Sequence, residues 1–270
     1  MSTLNADNRL AAGLRDVKRL ARRSLYLPTE APHFQVQVNG EWFVFCAIHK
    51  NASSSIRALI EAGSSREREA GESIFRFLSL NHLVRSRKEV KRARHVMVFV
   101  RPPLDRVVSC FQNKFIQRKG NRTIFADFKQ VTGADPAQAT FERFVHDYLR
   151  LCFGGGDKVN RHRNRHIYTQ QQQLLPVDYD VVARVDQFDQ VMNEAGLVQL
   201  LPGRTNSTSG AVEIPKAWSM SAEELHALYR ETGQTPDKAS LLNPALVEEI
   251  NHHYRADIHA FGHLLGEEES

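Results

Sequence analysis

The stretch Trp42-Phe43-Val44-Phe45-Cys46-Ala47-Ile48-His49-Lys50-Asn51-Ala52-Ser53-Ser54-Ser55 decides the fold. Residues 42 to 48 are apolar without interruption. A strand with one wet face alternates, whereas a strand covered on both faces reads continuously apolar. Ahead of it, residues 34 to 38 alternate apolar and polar, and Asn39-Gly40 is the favoured two-residue hairpin turn. Behind it, Lys50 and three serines lead into Ile56, Leu59 and Ile60 at helical spacing, closed by Gly63. The whole predicts a hairpin feeding a buried strand, then a loop, then a helix.

The same pattern recurs outward. Residues 64 to 73 are polar and charged and predict a loop; a second apolar strand, 96 to 100, ends at Arg101-Pro102-Pro103. A helix follows with Leu104, Val107, Val108, Phe111 and Phe115 facing inward. Further on, the pattern predicts a helix over 141–152, a third strand over 179–185, a loop over 202–216, and helices over 222–229 and 244–261. Strands alternating with helices predict an α/β fold with a mostly parallel sheet flanked by helices. No internal repeat is visible. Residues 9 to 25 put Leu10, Leu14, Val17 and Leu25 on one stripe and arginines on the other, a basic amphipathic helix ended by Pro28 and Pro32. Such a helix packs on its domain or touches an anionic membrane surface. The expected organisation is therefore a basic helix and linker over 1–33 and a single domain over 34–270.

Composition narrows the class. The 270 residues are 41% hydrophobic and 25% charged, which is ordinary for a globular protein. No run reaches the ~20 apolar residues of a membrane span, and the arginine-rich first thirty residues do not form a signal peptide. A formal net charge of +5 suits an anionic ligand but is too small and scattered to indicate nucleic acid. Cys46, Cys110 and Cys152 stand far apart and read as reduced thiols in a cytoplasmic protein. His259 with His263, and His162 with His166, stand at four-residue spacing, but no cysteine or carboxylate completes a metal-ligand set, so no metal site is expected.

Two segments carry the chemistry. A helix N-terminus leaves N–H groups unpaired and attracts oxyanions. Small residues from Ala52 to Ser55 admit an anion to the backbone there, and Lys50 adds a full charge. Capping explains one serine, not three behind a lysine. The nucleoside-triphosphate pattern GxxxxGK[ST] is absent, and no carboxylate stands ready for magnesium. In the second segment, Arg101-Pro102-Pro103-Leu104-Asp105-Arg106-Val107-Val108-Ser109, Arg101 sits at the carboxyl end of a strand, the edge where open α/β sheets bind ligands. With Ser109 it forms a second anion site, since arginine grips phosphate in a fork. Arg106 reads as a structural ion pair.

Together these segments resemble the sulfotransferases that use 3′-phosphoadenosine 5′-phosphosulfate (PAPS). Lys50, Asn51, Ala52, Ser53, Ser54 and Ser55 match that family's 5′-phosphosulfate loop, and Arg101, Pro103, Arg106 and Ser109 fit its RxPxxRxxS element for the 3′-phosphate. Asn113-Lys114-Phe115 is similar to the chondroitin and related carbohydrate O-sulfotransferases. So are Phe141-Glu142-Arg143-Phe144-Val145, the HxxxQ element at His166 and Gln170, Tyr179-Asp180-Val181-Val182, and the closing Tyr254, Asp257, Phe261 and Gly262. Departures are His49 where the family often has Pro, and Asp186 where it usually has Glu.

The resemblance implies a P-loop-like three-layer fold and metal-free, in-line transfer of a sulfuryl group to a hydroxyl of a carbohydrate or glycolipid. It implies a soluble, bacterial-like cytoplasmic member; no nucleic-acid partner is expected, and the N-terminal helix offers either packing on the domain or peripheral contact with the inner membrane. Lys50 would neutralise the departing bisphosphate nucleotide, and Arg101 and Ser109 would grip its 3′-phosphate. His82 is the general base that the heparan 2-O-type relatives suggest, its titration range suiting the task; His49, Glu72 and His166 are further candidates. The basic run Lys158, Arg161, His162, Arg163 and Arg165 would face an anionic glycan or solvent. The alternatives are a P-loop-like nucleotide kinase and a non-catalytic anion- or nucleic-acid-binding module.

Overall fold

A computed structural model describes residues 31–154, 164–201 and 210–266. The expected helix over 9–25, His162 and most of the basic run lie outside the described residues. The described residues form two compact units. One comprises 31–48, 52–99 and 173–201; the other comprises 49–51, 100–154, 164–172 and 210–266.

The first unit is built on a four-stranded sheet in the order β1 (His33–Val38), β2 (Glu41–Cys46), β3 (His95–Val100), β4 (Val181–Arg184). β1 and β2 are the expected antiparallel hairpin, turned by Asn39 and Gly40, both at positive φ. β2 and β3 run parallel, with Phe43 opposite His95 and Cys46 opposite Val98. The sheet is mostly parallel, as the strand–helix alternation predicts.

Burial explains the uninterrupted apolar run. Phe43, Phe45, Met97 and Phe99 face one side, packed on Ile56, Leu59 and Ile60 of the Ser53–Ala62 helix and on Phe188 and Met192 of the Phe188–Glu194 helix. Val44, Cys46, Val96 and Val98 face the other, under Val90, Tyr179 and Val182. Each such side chain contributes about 1.5–3 kcal/mol when fully buried.

The second unit is helical. The Pro103–Phe111 helix continues into a π-helical turn, Gln112–Ile116, and a second π-helical stretch, Phe144–Leu149, interrupts the helix running from Phe141 to Gly154. Around them stand the helices Arg122–Thr132, Ala222–Thr232, Pro244–His253 and Arg255–Leu265. The core is aromatic. Phe111 stacks on Phe115 at 5.1 Å between ring centroids and meets Phe141 edge-on at 5.2 Å, and Phe115 meets Phe144 at 5.2 Å. Pairs of this kind contribute about 0.5–1.5 kcal/mol beyond their buried area. A short parallel pair, β5 (Ala211–Val212) and β6 (Thr235–Pro236), completes the unit.

Three differences from the sequence pattern stand out. The helix expected over 244–261 is two helices, because Tyr254 leaves helical geometry and its hydroxyl donates to the Ile167 carbonyl. The loop expected over 202–216 contains β5. Helices Ile74–Asn81, Arg87–Lys91, Arg122–Thr132 and Phe188–Glu194 fill stretches that the pattern left without an element. Cys46, Cys110 and Cys152 are buried thiols in no disulfide.

Candidate active site

Beyond the buried β2, the backbone turns sharply at His49 to Ala52. Lys50 adopts φ of 70° and Ala52 φ of 53°, left-handed values that non-glycine residues avoid. Such conformations persist where the surroundings over-determine them, and they cluster at functional sites. Ala52 is the N-cap of the Ser53–Ala62 helix, and no side chain caps it. The serines are therefore not spent on capping. Ser54 Oγ instead accepts from Arg57 Nη2 at 3.0 Å.

Asn51, 1% exposed, is locked by Gln170, which is fully buried. Gln170 Oε1 accepts from Asn51 Nδ2 and from the Arg101 N–H at 2.9 Å, while its Nε2 donates to the Arg101 carbonyl at 3.0 Å. One amide side chain thus clamps the lysine-bearing turn to the residue at the end of β3. Gln170 is held in turn by Asp257, whose carboxylate accepts from the N–H groups of Gln170 and Gln171 at 2.8 and 3.0 Å. Arg106, 1% exposed, donates to Asp257 at 3.4 Å and to the Tyr168 carbonyl at 2.9 Å. The structural ion pair expected for Arg106 is present. Its partner lies 151 residues away in sequence.

Positive charge converges on the turn. Burial, and after it the cations Lys114, Arg101 and Lys119, draw the Lys50 ammonium down to about 8. Among the described residues that ammonium makes no ion pair and no hydrogen bond. Arg101 is equally underused. Its backbone is fixed by Gln170, but among the described residues its guanidinium has Asp105 as its one ion-pair partner, Nε to Oδ2 at 4.0 Å. Ser109, partly buried, stands one helical turn beyond Asp105. Lys114, on the π-helical turn, is anchored on the Lys119 carbonyl at 2.7 Å.

His49 and His166 meet edge to face, ring centroids 4.6 Å apart. The His166 Nδ1–H donates to Asn164 Oδ1 at 2.6 Å, which leaves the lone pair on Nε2. Asn164 is fixed by its own N–H to Asp127 Oδ2 at 3.0 Å, and Asp127 also accepts from the Tyr148 hydroxyl. Burial, then His49, Lys114, Lys50 and Arg106, push His166 down to about 2, so the ring is neutral at physiological pH.

His82 belongs to the sheet unit, at the end of the Ile74–Asn81 helix. Its Nδ1–H donates to the Gln35 carbonyl at 3.0 Å, and its Nε2 accepts from the Ser64 hydroxyl at 2.9 Å. Burial lowers its basicity. Glu72 is paired weakly with Arg76, Oε1 to Nε at 3.8 Å, and its Oε2 is buried. The structure thus brings Lys50, Asn51, Arg101 and Ser109 into the helical unit, whereas Ala52 to Ser55, at the start of the Ser53–Ala62 helix, and His82 belong to the sheet unit. The clamp by Gln170 and Asp257 was not legible as such, although both residues stand in the motifs quoted above. The Asn164–His166 pair left no sequence signal.

The protein-family model described as the sulfotransferase family matches residues 36–263, from within β1 to the last helix. The chain belongs to that family, whose members transfer sulfuryl groups. Against curated proteins and against solved structures, no match is found.

Proposed function

We propose that the protein transfers the sulfuryl group of PAPS to a hydroxyl of a carbohydrate or glycolipid acceptor. The observation that carries the donor assignment is the pair of unspent cations, Lys50 and Arg101, held in place through one buried glutamine. Burying a charge without a partner is expensive. A site that holds Lys50 partly buried with no partner among the described residues, leaves Arg101 only a 4.0 Å contact with Asp105, and fixes the backbone around both fits a ligand with two anionic ends. Lys50 and the N–H groups opening the Ser53–Ala62 helix would hold the 5′ end, and Arg101 and Ser109 the 3′-phosphate. The bound donor supplies the electrophilic sulfur. Lys50 Nζ neutralises negative charge on the leaving side, a positioned electrostatic role that needs no metal. Among the described residues no cluster of three or more His, Cys, Asp or Glu is placed to hold a metal ion.

The proton of the acceptor hydroxyl goes to His82 in this proposal. Its Nε2 already accepts a hydroxyl, that of Ser64, and burial keeps the ring neutral and able to accept. The acceptor class rests on the likeness of the segments at Asn113 and Phe141 to the carbohydrate O-sulfotransferases. Family membership decides against the nucleotide-kinase alternative.

Calorimetric titration with 3′-phosphoadenosine 5′-phosphate, with ATP in parallel, tests the donor assignment. Metal-independent binding is expected, with ATP weaker and with Lys50→Ala and Arg101→Ala each losing tenfold or more, about 1.4 kcal/mol. Equal binding of ATP, or binding undiminished in Arg101→Ala, would overturn it. Transfer of labelled sulfate to a panel of glycans, glycolipids and phenols tests the acceptor class, with wild type set against His82→Ala.

A further inference from the structure

Asp105 is a carboxylate in the wrong place for an anion site. It shares a helix face with Ser109, four residues on, and lies 4.0 Å from Arg101, just ahead of the helix, so it stands between the two groups proposed to hold the 3′-phosphate. Left alone, it would capture the Arg101 guanidinium and repel an incoming phosphate. The closer ion pair is instead with a lysine. Lys238 Nζ approaches Asp105 Oδ1 at 2.6 Å, while Arg101 Nε stays 4.0 Å from Oδ2. Arg101 makes no other side-chain hydrogen bond or ion pair among the described residues, so its fork is free.

Lys238 is not a drifting surface lysine. It opens the short Lys238–Leu241 helix, which Asp237 caps by accepting from the Ser240 N–H at 2.7 Å. The Asp237 N–H donates to the Val212 carbonyl at 2.8 Å, pinning the segment to β5. Just before it, the Pro236 carbonyl accepts from Gln112 Nε2 at 2.7 Å, and Gln112 continues the helix that carries Asp105. The backbone on which Lys238 stands is thus tied to the backbone on which Asp105 stands.

We propose that Lys238 is a positioning residue for the donor. By neutralising Asp105 it keeps Arg101 free and the site cationic, and so sets the preference for a nucleotide that bears a 3′-phosphate. This rests on the PAPS reading given above. Lys238 acts through Asp105 and need not touch the ligand, which separates it from a simple phosphate ligand. An isolated exposed ion pair contributes little to stability, so the consequence is read in binding.

Calorimetry on the full chain with two probes tests it: 3′-phosphoadenosine 5′-phosphate and adenosine 5′-phosphate, on wild type, Lys238→Gln, Asp105→Asn and the double variant. Lys238→Gln is expected to weaken the bisphosphate about tenfold, the scale of one close like charge at a protein surface, and to leave the monophosphate within about twofold. Adding Asp105→Asn should restore the bisphosphate to within about twofold of wild type. No loss in Lys238→Gln overturns the proposal, and so does an equal loss for both probes. A loss that Asp105→Asn fails to rescue overturns it too, because Lys238 would then act on the ligand or the fold directly. A wild type that does not prefer the bisphosphate defeats the donor assignment itself, and the role of Lys238 with it.

Discussion

Two cations of the helical unit have opposite surroundings. Arg106 is 1% exposed, and its guanidinium reaches the Asp257 carboxylate at 3.4 Å and the Tyr168 carbonyl at 2.9 Å, with the Tyr254 ring 5.8 Å away. Lys50 is partly buried among Lys114, Arg101 and Lys119 and is drawn down to about 8. Among the described residues it has no hydrogen-bonded or ion-paired partner. A cation whose counter-charge lies within the chain is architecture. One partly buried among other cations is held in a state that an anion from outside, or loss of its proton, relieves. The RxPxxRxxS element sets the two roles side by side: Arg106 is spent on the fold, and Arg101 is the one proposed for the ligand.

The sharpest way to break that comparison is Arg106→Leu. It leaves the Asp257 carboxylate buried without its counter-charge and is expected to cost about 3–5 kcal/mol. Chemical denaturation measures it. Because Asp257 also holds Gln170, the variant should lose bisphosphate binding even at temperatures where it remains folded. A loss below about 1 kcal/mol would mean that Arg106 is not structural, and the distinction from Lys50 would collapse.

How much of this was visible beforehand follows from the range of each interaction. The hairpin, the buried strand and the loop behind it were legible because pleat, turn chemistry and burial leave local traces in Phe34 to Ser55. Arg106 could be named an ion pair, but Asp257 could not be named its partner, since the pairing depends on chain folding over 151 positions. The positive φ of Lys50 and Ala52 was hidden because left-handed turns are usually announced by Gly or Asn, and here tertiary contacts impose them. Two of the helices the pattern did not predict differ in kind. Arg87–Lys91 is too short to show a period. Arg122–Thr132 does carry Ile124, Phe128 and Val131 at helical spacing, a signal that could have been used. The Gln170 clamp was invisible because glutamine is ordinarily a surface residue; only its neighbours make it a strut.

Lys50→Met sharpens the comparison from the other side. A lysine whose folded value lies near 8, against 10.5 for an ordinary lysine, binds fewer protons in the folded than in the unfolded state between those values. Stability therefore rises with pH across that window, and below it the charged Lys50 costs on the order of 3 kcal/mol. Replacing it with a methionine of similar length should stabilise the ligand-free protein at pH 7 by up to that amount. The advantage should shrink as pH approaches 10.5, while at pH 7 bisphosphate binding weakens tenfold or more. Denaturation midpoints at pH 7 and pH 10 decide it. A variant less stable than wild type at pH 7 would show that Lys50 has a partner in the fold after all.

The smallest expected effect is also the most specific. An anion bound at Lys50 favours the charged form and raises its pKa back toward the ordinary lysine range. Near pH 8, where the free protein holds the proton about half the time, binding must therefore take up about half a proton. At pH 6.5 it should take up almost none from this group, and above pH 8 the affinity should decline as the competent, protonated form becomes scarce. Titrating 3′-phosphoadenosine 5′-phosphate at pH 8 in two buffers of different ionisation enthalpy reads the uptake directly. Lys50→Gln serves as the variant in which this contribution vanishes, with adenosine 5′-phosphate as the probe that still engages the 5′ end. Arg101 cannot mimic the signal, because a guanidinium stays protonated throughout this range. Uptake unchanged in Lys50→Gln would assign the proton to another group. Lys50 would then be no more a ligand-seeking cation than Arg106.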